Sequence, residues 1–431
     1  MPFSRKIPAV TKLRLVTGNS VLAQKKRNEG NRLGWETLVV VASKHLNTMG
    51  VSVEWFSEIA RDLRVTRPAL YSYVSDRDDL LFKCYKRSCD VLVDTLDAAV
   101  AATDDPLRIL DSFLMTAISG AQREIAALSE IDVLPRERQA IIRSQHEALV
   151  TAVAAIVRRG IDSGQFRAVD PQVVALSIIG MITYAPLARR WLLRSAHPQQ
   201  ANGARELLFH GLAASPNPDL SQPFPSLNTG PVRIDLFDRA ALEEARRETI
   251  LVAASLLFNR RGVGGTRVDD VAAALGISKR TIYHYVGQKD ALLDACIERA
   301  YKFYFSGLYM AQRSPGSRIA AIYGVMKETI LAMSDPDMAM LLPYVGFGQL
   351  SAKERRSVNI HAQELTEGYR AMLEKGQREG SMRDFAPYDI LSASLPGIFT
   401  WVVNDPAPFN RERNYIVEEI ANIIVRGIVV H

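Results

Sequence analysis

Three basic side chains, Lys279, Arg280 and Lys289, stand in the stretch SKRTIYHYVGQKDALL (278–293) beside Tyr283, His284 and Tyr285. Cationic and hydroxyl donors crowded into two helical turns suit hydrogen bonding to a polyanion. An arginine here pairs bidentately with a guanine edge, and the methyl of Thr281 touches thymine. Tyr283 and His284 reach phosphate oxygens one turn later. Lys289 adds a cation beside a helix N-terminus, whose free amides favour phosphate. A related stretch, TRPALYSYVSDRDDLL (66–81), lies 212 positions upstream without a gap. Its outward set is Thr66, Arg67, Pro68, Ala69, Tyr71, Ser72 and Arg77, so a second interface of different specificity is expected there. Enzymatic chemistry finds no comparable foothold. The seven histidines are scattered, and no metal-ligand spacing, nucleophile elbow, phosphate loop or dinucleotide fingerprint occurs. A non-enzyme with no metal and no cofactor is expected.

The elements that must carry these groups are helices. Thr266, three residues before Asp269, has the spacing of an N-cap. RVDDVAAAL then forms a short helix with Val268, Val271 and Leu275 facing inward. Gly276 ends it in a left-handed conformation that costs glycine nothing. Ile277 plugs the core, Ser278 caps, and KRTIYHY makes two further turns. Two short helices joined by a tight turn form a helix-turn-helix, whose second helix enters the major groove.

The segment GTRVDDVAAALGISKRTIYHYVGQKDALL (265–293) resembles the DNA-binding segment of the TetR/AcrR family of one-component transcriptional regulators. Thr266, Ala272, Gly276, Ser278, Thr281, Tyr283, Lys289 and Leu292 fill the family's typed positions. The resemblance implies a three-helix DNA-binding domain, then a larger helical domain that binds a small effector and dimerises through its last two helices. The upstream copy retains Ile59, Ala60, Leu63, Val65, Thr66, Tyr71, Tyr73 and Arg77. It departs at Arg64, which replaces the turn glycine at about 1 kcal/mol if the left-handed conformation is kept, and at Glu54, which replaces the capping threonine.

The repetition extends over the whole chain. A shift of 212 aligns Gly262 on Gly50 and Leu292–Leu293 on Leu80–Leu81, and a shift of 216 aligns 374–387 on 158–171 and 422–430 on 206–214. The expected order is a basic arm (1–31), a first helix-turn-helix domain (32–82), a first regulatory and pairing domain (83–214), a linker (215–234), a second helix-turn-helix domain (235–294) and a second regulatory domain (295–431). The fold class is all-α: two tandem TetR-like units. The linker, with five prolines and one charge between 215 and 232, reads as an extended tether reaching roughly 55 Å. Residues 1–32 carry eight Lys or Arg against one acid, a backbone-following arm or a solvated tail.

Pairing is expected through 171–193 and 203–214 against 387–404 and 411–430, with Ala175, Ser177, Gly180, Ser392, Ser394 and Gly397 permitting close approach. An intramolecular pseudo-dimer is the favoured arrangement, a homodimer with four heads the alternative, and an interaction scaffold with vestigial heads a further one. The Met- and aromatic-rich second half offers Tyr309, Met310, Tyr323, Met326, Tyr344 and Phe347 for an apolar, aromatic or acyl effector, a stripe equally suited to core. The first half offers Phe113, Met115, Met181, Tyr184 and Trp191, a weaker set. The partners expected are therefore double-stranded operator DNA and a small molecule, with no membrane. Three cysteines and no apolar leader point to a cytoplasmic protein, most readily a ligand-responsive repressor. A net charge of +6 over 431 residues is compatible with a polyanionic partner.

Overall fold

Apolar residues recurring every third and fourth position wind the chain into helices that bury one stripe each. The structure, a computed structural model, describes residues 34–51, 54–120, 124–128, 131–188, 197–227, 238–403 and 411–430. The basic arm lies outside the described residues, as do Trp191 and 228–234 of the linker. The first half holds α1 (Trp35–Met49), α2 (Trp55–Asp62), α3 (Arg67–Leu70), α4 (Arg77–Ala102), α5 (Pro106–Ser119), α6 (Arg136–Asp162), α7 (Pro171–Ala188) and α8 (His197–His210). The second holds α9 (Arg239–Arg261), α10 (Val268–Leu275), α11 (Lys279–Tyr285), α12 (Lys289–Arg313), α13 (Arg318–Ser334), α14 (Ala352–Arg378), α15 (Pro387–Asp389), α16 (Leu395–Gly397) and α17 (Arg413–Arg426). Among the described residues there is no strand, only two isolated β-bridges.

The two halves repeat their internal fastenings. Leu38, Val39, Ala42 and Leu46 bury the inner face of α1, and Ile250, Leu251, Ala254 and Phe258 that of α9. Buried Asn47 donates to Ile125 O (2.6 Å) and accepts from Ala127 N (2.9 Å). Asn259 does the same to Met340 O (2.7 Å) and Leu342 N (2.9 Å). Each asparagine thus ties a helix-turn-helix head to a loop of the helical bundle that follows it. Arg87 adds a bond to Glu124 O (2.6 Å) and Arg299 one to Ala339 O (2.8 Å).

The regulatory domains meet through α7, α8, the 387–403 segment and α17. Two glycines set the spacing: a Cβ on Gly180 would collide with Gly397 O, and one on Gly397 would lie 2.7 Å from Met181 Cα. Two arginines clamp the ends. Arg383 donates to Gly211 O (2.6 Å) and Glu206 O (2.8 Å) and pairs with the Glu206 carboxylate (2.7 Å). Arg167 donates to Gly427 O across the other end, and burial pulls its guanidinium down to about 10. The bridges Phe166–Val429 and Ala213–Met382 lie beside them, and buried Asp170 pairs with Arg411 at 3.0 Å. Two helices, α6 and α7, are long and apolar enough to cross a membrane, but α7 is buried between the halves.

The linker departs from the tether expected of its composition. Its described part, 215–227, is a strap seated on α12 and α13. Phe224 occupies the space a side chain at Gly324 would need, Leu227 packs at Gly307 and Gln222 at Gly316. Ser226 Oγ and Leu227 N both donate to Glu328, at 2.8 and 2.9 Å. The corresponding first-half positions, Thr95, Asp104 and Ser112, carry side chains and offer no such socket. Proline stiffness thus serves a docked strap, not a free spacer.

Candidate nucleic-acid interface and effector cavity

In the second head the helix-turn-helix forms as its sequence dictates. Gly276 takes the left-handed conformation (φ 65°, ψ 28°) at the end of α10. Ser278 Oγ accepts from Thr281 N at 3.1 Å and lies 2.8 Å from the Thr281 hydroxyl. Buried Ile282 anchors α11, which leaves Lys279, Arg280, Tyr283 and His284 exposed and Thr281 half-buried. Lys279 Nζ pairs with Asp269 at 3.1 Å and lies 5.7 Å from the Tyr283 ring centre. The hydrogen bond to Asp269 raises its pKa and holds it cationic. Arg280 has no ion pair among the described residues. Lys289 begins α12, half-buried, and desolvation lowers its pKa.

Thr266 needs correction. It is fully buried, and its hydroxyl donates back to Gly262 O (2.9 Å) and Leu257 O (3.3 Å). It neither caps α10 nor presents a side chain to DNA. The cap is supplied by Asp270, whose carboxylate accepts from Arg267 N at 2.7 Å. A threonine hydroxyl beside the open end of α9 finds carbonyls closer than the next helix's amides.

The first head keeps the scaffold and changes the reading surface. Arg64 holds the left-handed conformation (φ 55°), the single non-glycine residue with positive φ among those described. Thr66 precedes α3 without a side-chain cap bond, and α3 spans four residues, with Pro68 in its first turn. Arg67, Pro68, Tyr71 and Ser72 are exposed and Ala69 half-buried. Tyr71 stacks on Phe56 at 5.4 Å, and Ser72 Oγ donates to Ala69 O at 2.7 Å. Arg77 opens α4 and lies 3.7 Å from Asp78. This head closes its own apolar core with Ala126, Leu134 and Ile142, whereas the core of the second head runs on into the regulatory domains.

A cavity of about 140 Å³ opens in the second regulatory domain between α12, α13, α14 and the 391–400 segment. Its walls include Tyr301, Tyr304, Met326, Thr329, Met333, Tyr369, Leu395 and Phe399, with Tyr184 from the first half. Burial pushes the hydroxyls of Tyr301, Tyr304 and Tyr369 well above the usual phenol range and keeps them neutral. One wall of the cavity is locally irregular. Pro396 has no amide hydrogen, and the preceding turn widens so that Leu395 N bonds back to Ile390 O. Gly180 stands at the matching place in α7, which stays continuous.

The six residues expected to line a pocket divide. Met326 lines this cavity, while Phe347 lines a small cleft beside Tyr301 and Tyr304. Tyr344 lines a different cavity of about 230 Å³ between the halves, with Arg143, His146, Glu147, Tyr184, Arg260 and Trp401. Tyr309 is 58% exposed, its ring against Arg313, so it is a surface residue. Tyr323 hydrogen-bonds Glu418, and Met310 packs partly buried against the core. Of the first-half set, Phe113 and Met181 are core and Tyr184 borders both cavities. The Met- and aromatic-rich stretch of the second half includes wall residues Tyr301, Tyr304 and Met333, whereas Tyr369 lies outside it. Among the described residues no cluster of three His, Cys, Asp or Glu could hold a metal.

Comparison with known proteins bears on this geometry in two places. Residues 250–296 match the model described as bacterial regulatory proteins, tetR family. Residues 102–187 match the tetracyclin repressor-like C-terminal domain. These two segments are thus similar to the DNA-binding and C-terminal domains of tetR-family regulators. Among curated relatives, the HTH-type transcriptional repressor NicS of Pseudomonas putida is 24% identical over 152 residues, 34% of this chain and 70% of NicS. The biofilm operon icaADBC HTH-type negative transcriptional regulator IcaR of Staphylococcus aureus is 27% identical over 118 residues, 27% of this chain and 60% of IcaR. Among solved structures, AibR in complex with isovaleryl coenzyme A and operator DNA aligns at 22% identity and TM-score 0.34, covering 40% of this chain and 97% of AibR. The TetR family regulator PfmR from Thermus thermophilus aligns at 24% identity and TM-score 0.36, covering 42% of this chain and 96% of PfmR.

Proposed function

We propose that this regulator is a tandem duplication whose two halves pair within one chain, bind operator DNA as an asymmetric pseudo-dimer, and release it when a small apolar molecule fills the second regulatory domain. The observation that carries the pairing is reciprocity. Arg167 reaches Gly427 and Arg383 reaches Gly211, so each half offers the other the same groups at a shift of 216. A two-fold interface has this self-complementary form. The order of the family matches supports duplication too, since the C-terminal-domain match (102–187) precedes the DNA-binding match (250–296). A single unit would run the other way.

The domain boundaries follow as 32–82, 83–214, 235–294 and 295–431, with the strap between. Lys279, Arg280, Thr281, Tyr283, His284 and Lys289 form the base- and phosphate-contacting set of the second head, with Ser278 as its cap. Thr66, Arg67, Pro68, Ala69, Tyr71, Ser72 and Arg77 are the DNA-facing set of the first. The effector is an apolar or aromatic molecule with few polar groups, because the walls are chiefly rings, methionine and leucine with neutral hydroxyls. Repression with relief by ligand is the regulatory sense favoured, since α12 carries cavity walls Tyr301 and Tyr304 and begins at Lys289, beside the reading helix.

The test is a footprint on DNA upstream of the protein's own coding sequence, followed by random-library selection. One chain should protect a patch of about two half-sites, lost steeply with salt. Arg280→Ala should cost about 1–3 kcal/mol and relax discrimination at one base position. Binding equal on all sequences would reject the reading.

A further inference from the structure

We propose that the first head grips the DNA phosphate backbone through an arginine edge, Arg61, Arg64 and Arg67, and leaves base reading to the second head. The inference rests on the DNA-binding reading above and refines how the two heads share the work.

Base readout needs donors or acceptors on a helix that enters the groove, whereas phosphate contact needs only charge and reach. In the first head the reading helix is four residues long and its central positions are Pro68 and Ala69, which carry no side-chain donor. Ser72 has its hydroxyl committed to Ala69 O at 2.7 Å, and Tyr71 lies flat against Phe56. The matching places in the second head are Arg280, Thr281, His284 and Tyr283, on a helix of seven residues. The first head therefore has little with which to tell one base pair from another.

Its charge is arranged for the other task. Between residues 35 and 82 there are five Lys or Arg against seven Asp or Glu, so the domain as a whole is not basic. Three of those five fall within 61–67, at the end of α2, in the turn and at the start of α3. Arg61 is 73% exposed and among the described residues pairs only with Asp62, at 3.8 Å. Arg64 and Arg67 are exposed with no ion pair among the described residues. Arg64 is the most telling. It holds φ 55° where the second head has Gly276 at φ 65°, so a cation is kept at a place where glycine would relieve the strain. Asp62 is shared with His45, which it bonds at 2.9 Å, and Glu58 lies 3.8 Å from the same ring.

The experiment is random-library selection with the full chain, followed by salt-dependent binding to the selected duplex. The expected motif conserves one half-site, with duplex of unselected sequence required on its other side. Arg64→Gly and Arg67→Ala should each weaken binding to every sequence alike and reduce the salt slope by about one. Arg64→Gly relaxes the backbone, so its loss of affinity cannot be assigned to a damaged fold. Two conserved half-sites, an altered base preference in Arg67→Ala, or an unchanged salt slope in both variants would overturn the proposal. Failure to enrich any sequence would instead overturn the DNA-binding reading on which it rests.

Discussion

Replacing Arg383 by methionine removes the clamp at one end of the interface between the halves while keeping an unbranched stem of similar reach. Three hydrogen bonds are lost, to Gly211 O, Glu206 O and the Glu206 carboxylate. Bonds of this kind contribute about 1.5–3 kcal/mol each when one partner is charged. Arg383 is 21% and Glu206 40% exposed, so water replaces part of the loss, and the three share one side chain and do not add. A destabilisation of about 3 kcal/mol is expected, within the range for breaking a partly buried pair. The assay is urea unfolding followed by tryptophan fluorescence and circular dichroism at two widely separated protein concentrations. The fall should be the same at both, because the partners share a chain, and Arg167→Met should produce a comparable fall at the other end. A change below about 1 kcal/mol would refute the clamp. A midpoint that climbs with protein concentration would show that the halves pair between chains.

Filling the second-half cavity with Met326→Trp should abolish the response to apolar ligands and leave operator affinity unchanged, at a stability cost of about 1–3 kcal/mol from overpacking. Ligand-induced release surviving in that variant, measured by fluorescence anisotropy of labelled DNA, would place the effector elsewhere. His146 is held by burial and by nearby Arg143 at about 4 instead of 6.5. The unfolded chain therefore takes up the proton first, and stability should decline as pH falls from about 6.5 towards 4. His146→Gln should flatten that part of the urea-midpoint profile, and parallel profiles would exclude the histidine as its cause. Burial also pushes the thiols of Cys84, Cys89 and Cys296 up to about 12. An aromatic disulfide reagent at pH 8 should label none of the three in the folded chain and all of them in urea, and rapid labelling without urea would contradict their burial.

The second head was legible because each of its steps is a local interaction. Gly276 needs no partner to turn left-handed, and Ser278 caps an amide three residues away. Thr266 was misjudged because its hydroxyl answers to the end of α9, nine and four residues upstream, and spacing to Asp269 carries no trace of that. The repeat marked out the halves, but the strap depends on sockets at Gly307, Gly316 and Gly324, whose meaning appears only when the folded surface is known. Pocket residues were hard for a related reason. A tyrosine at helical spacing is the same letter whether it faces solvent, as Tyr309 does, or a cavity, as Tyr304 does. Pro396, which lines the cavity beside the widened turn, is one letter among twenty prolines.

A strap seated on α13 also changes how an operator would sense the amount of protein. Separate subunits must find each other before they can bind, so occupancy of a two-headed site falls as the square of their concentration once they are dilute. Under the proposed pairing, halves carried on one chain have no such step. Occupancy then follows the number of chains in direct proportion, down to a single copy. A substitution in either head would also enter the proposed paired unit once instead of twice, so the two heads can drift apart without either change being imposed on its counterpart.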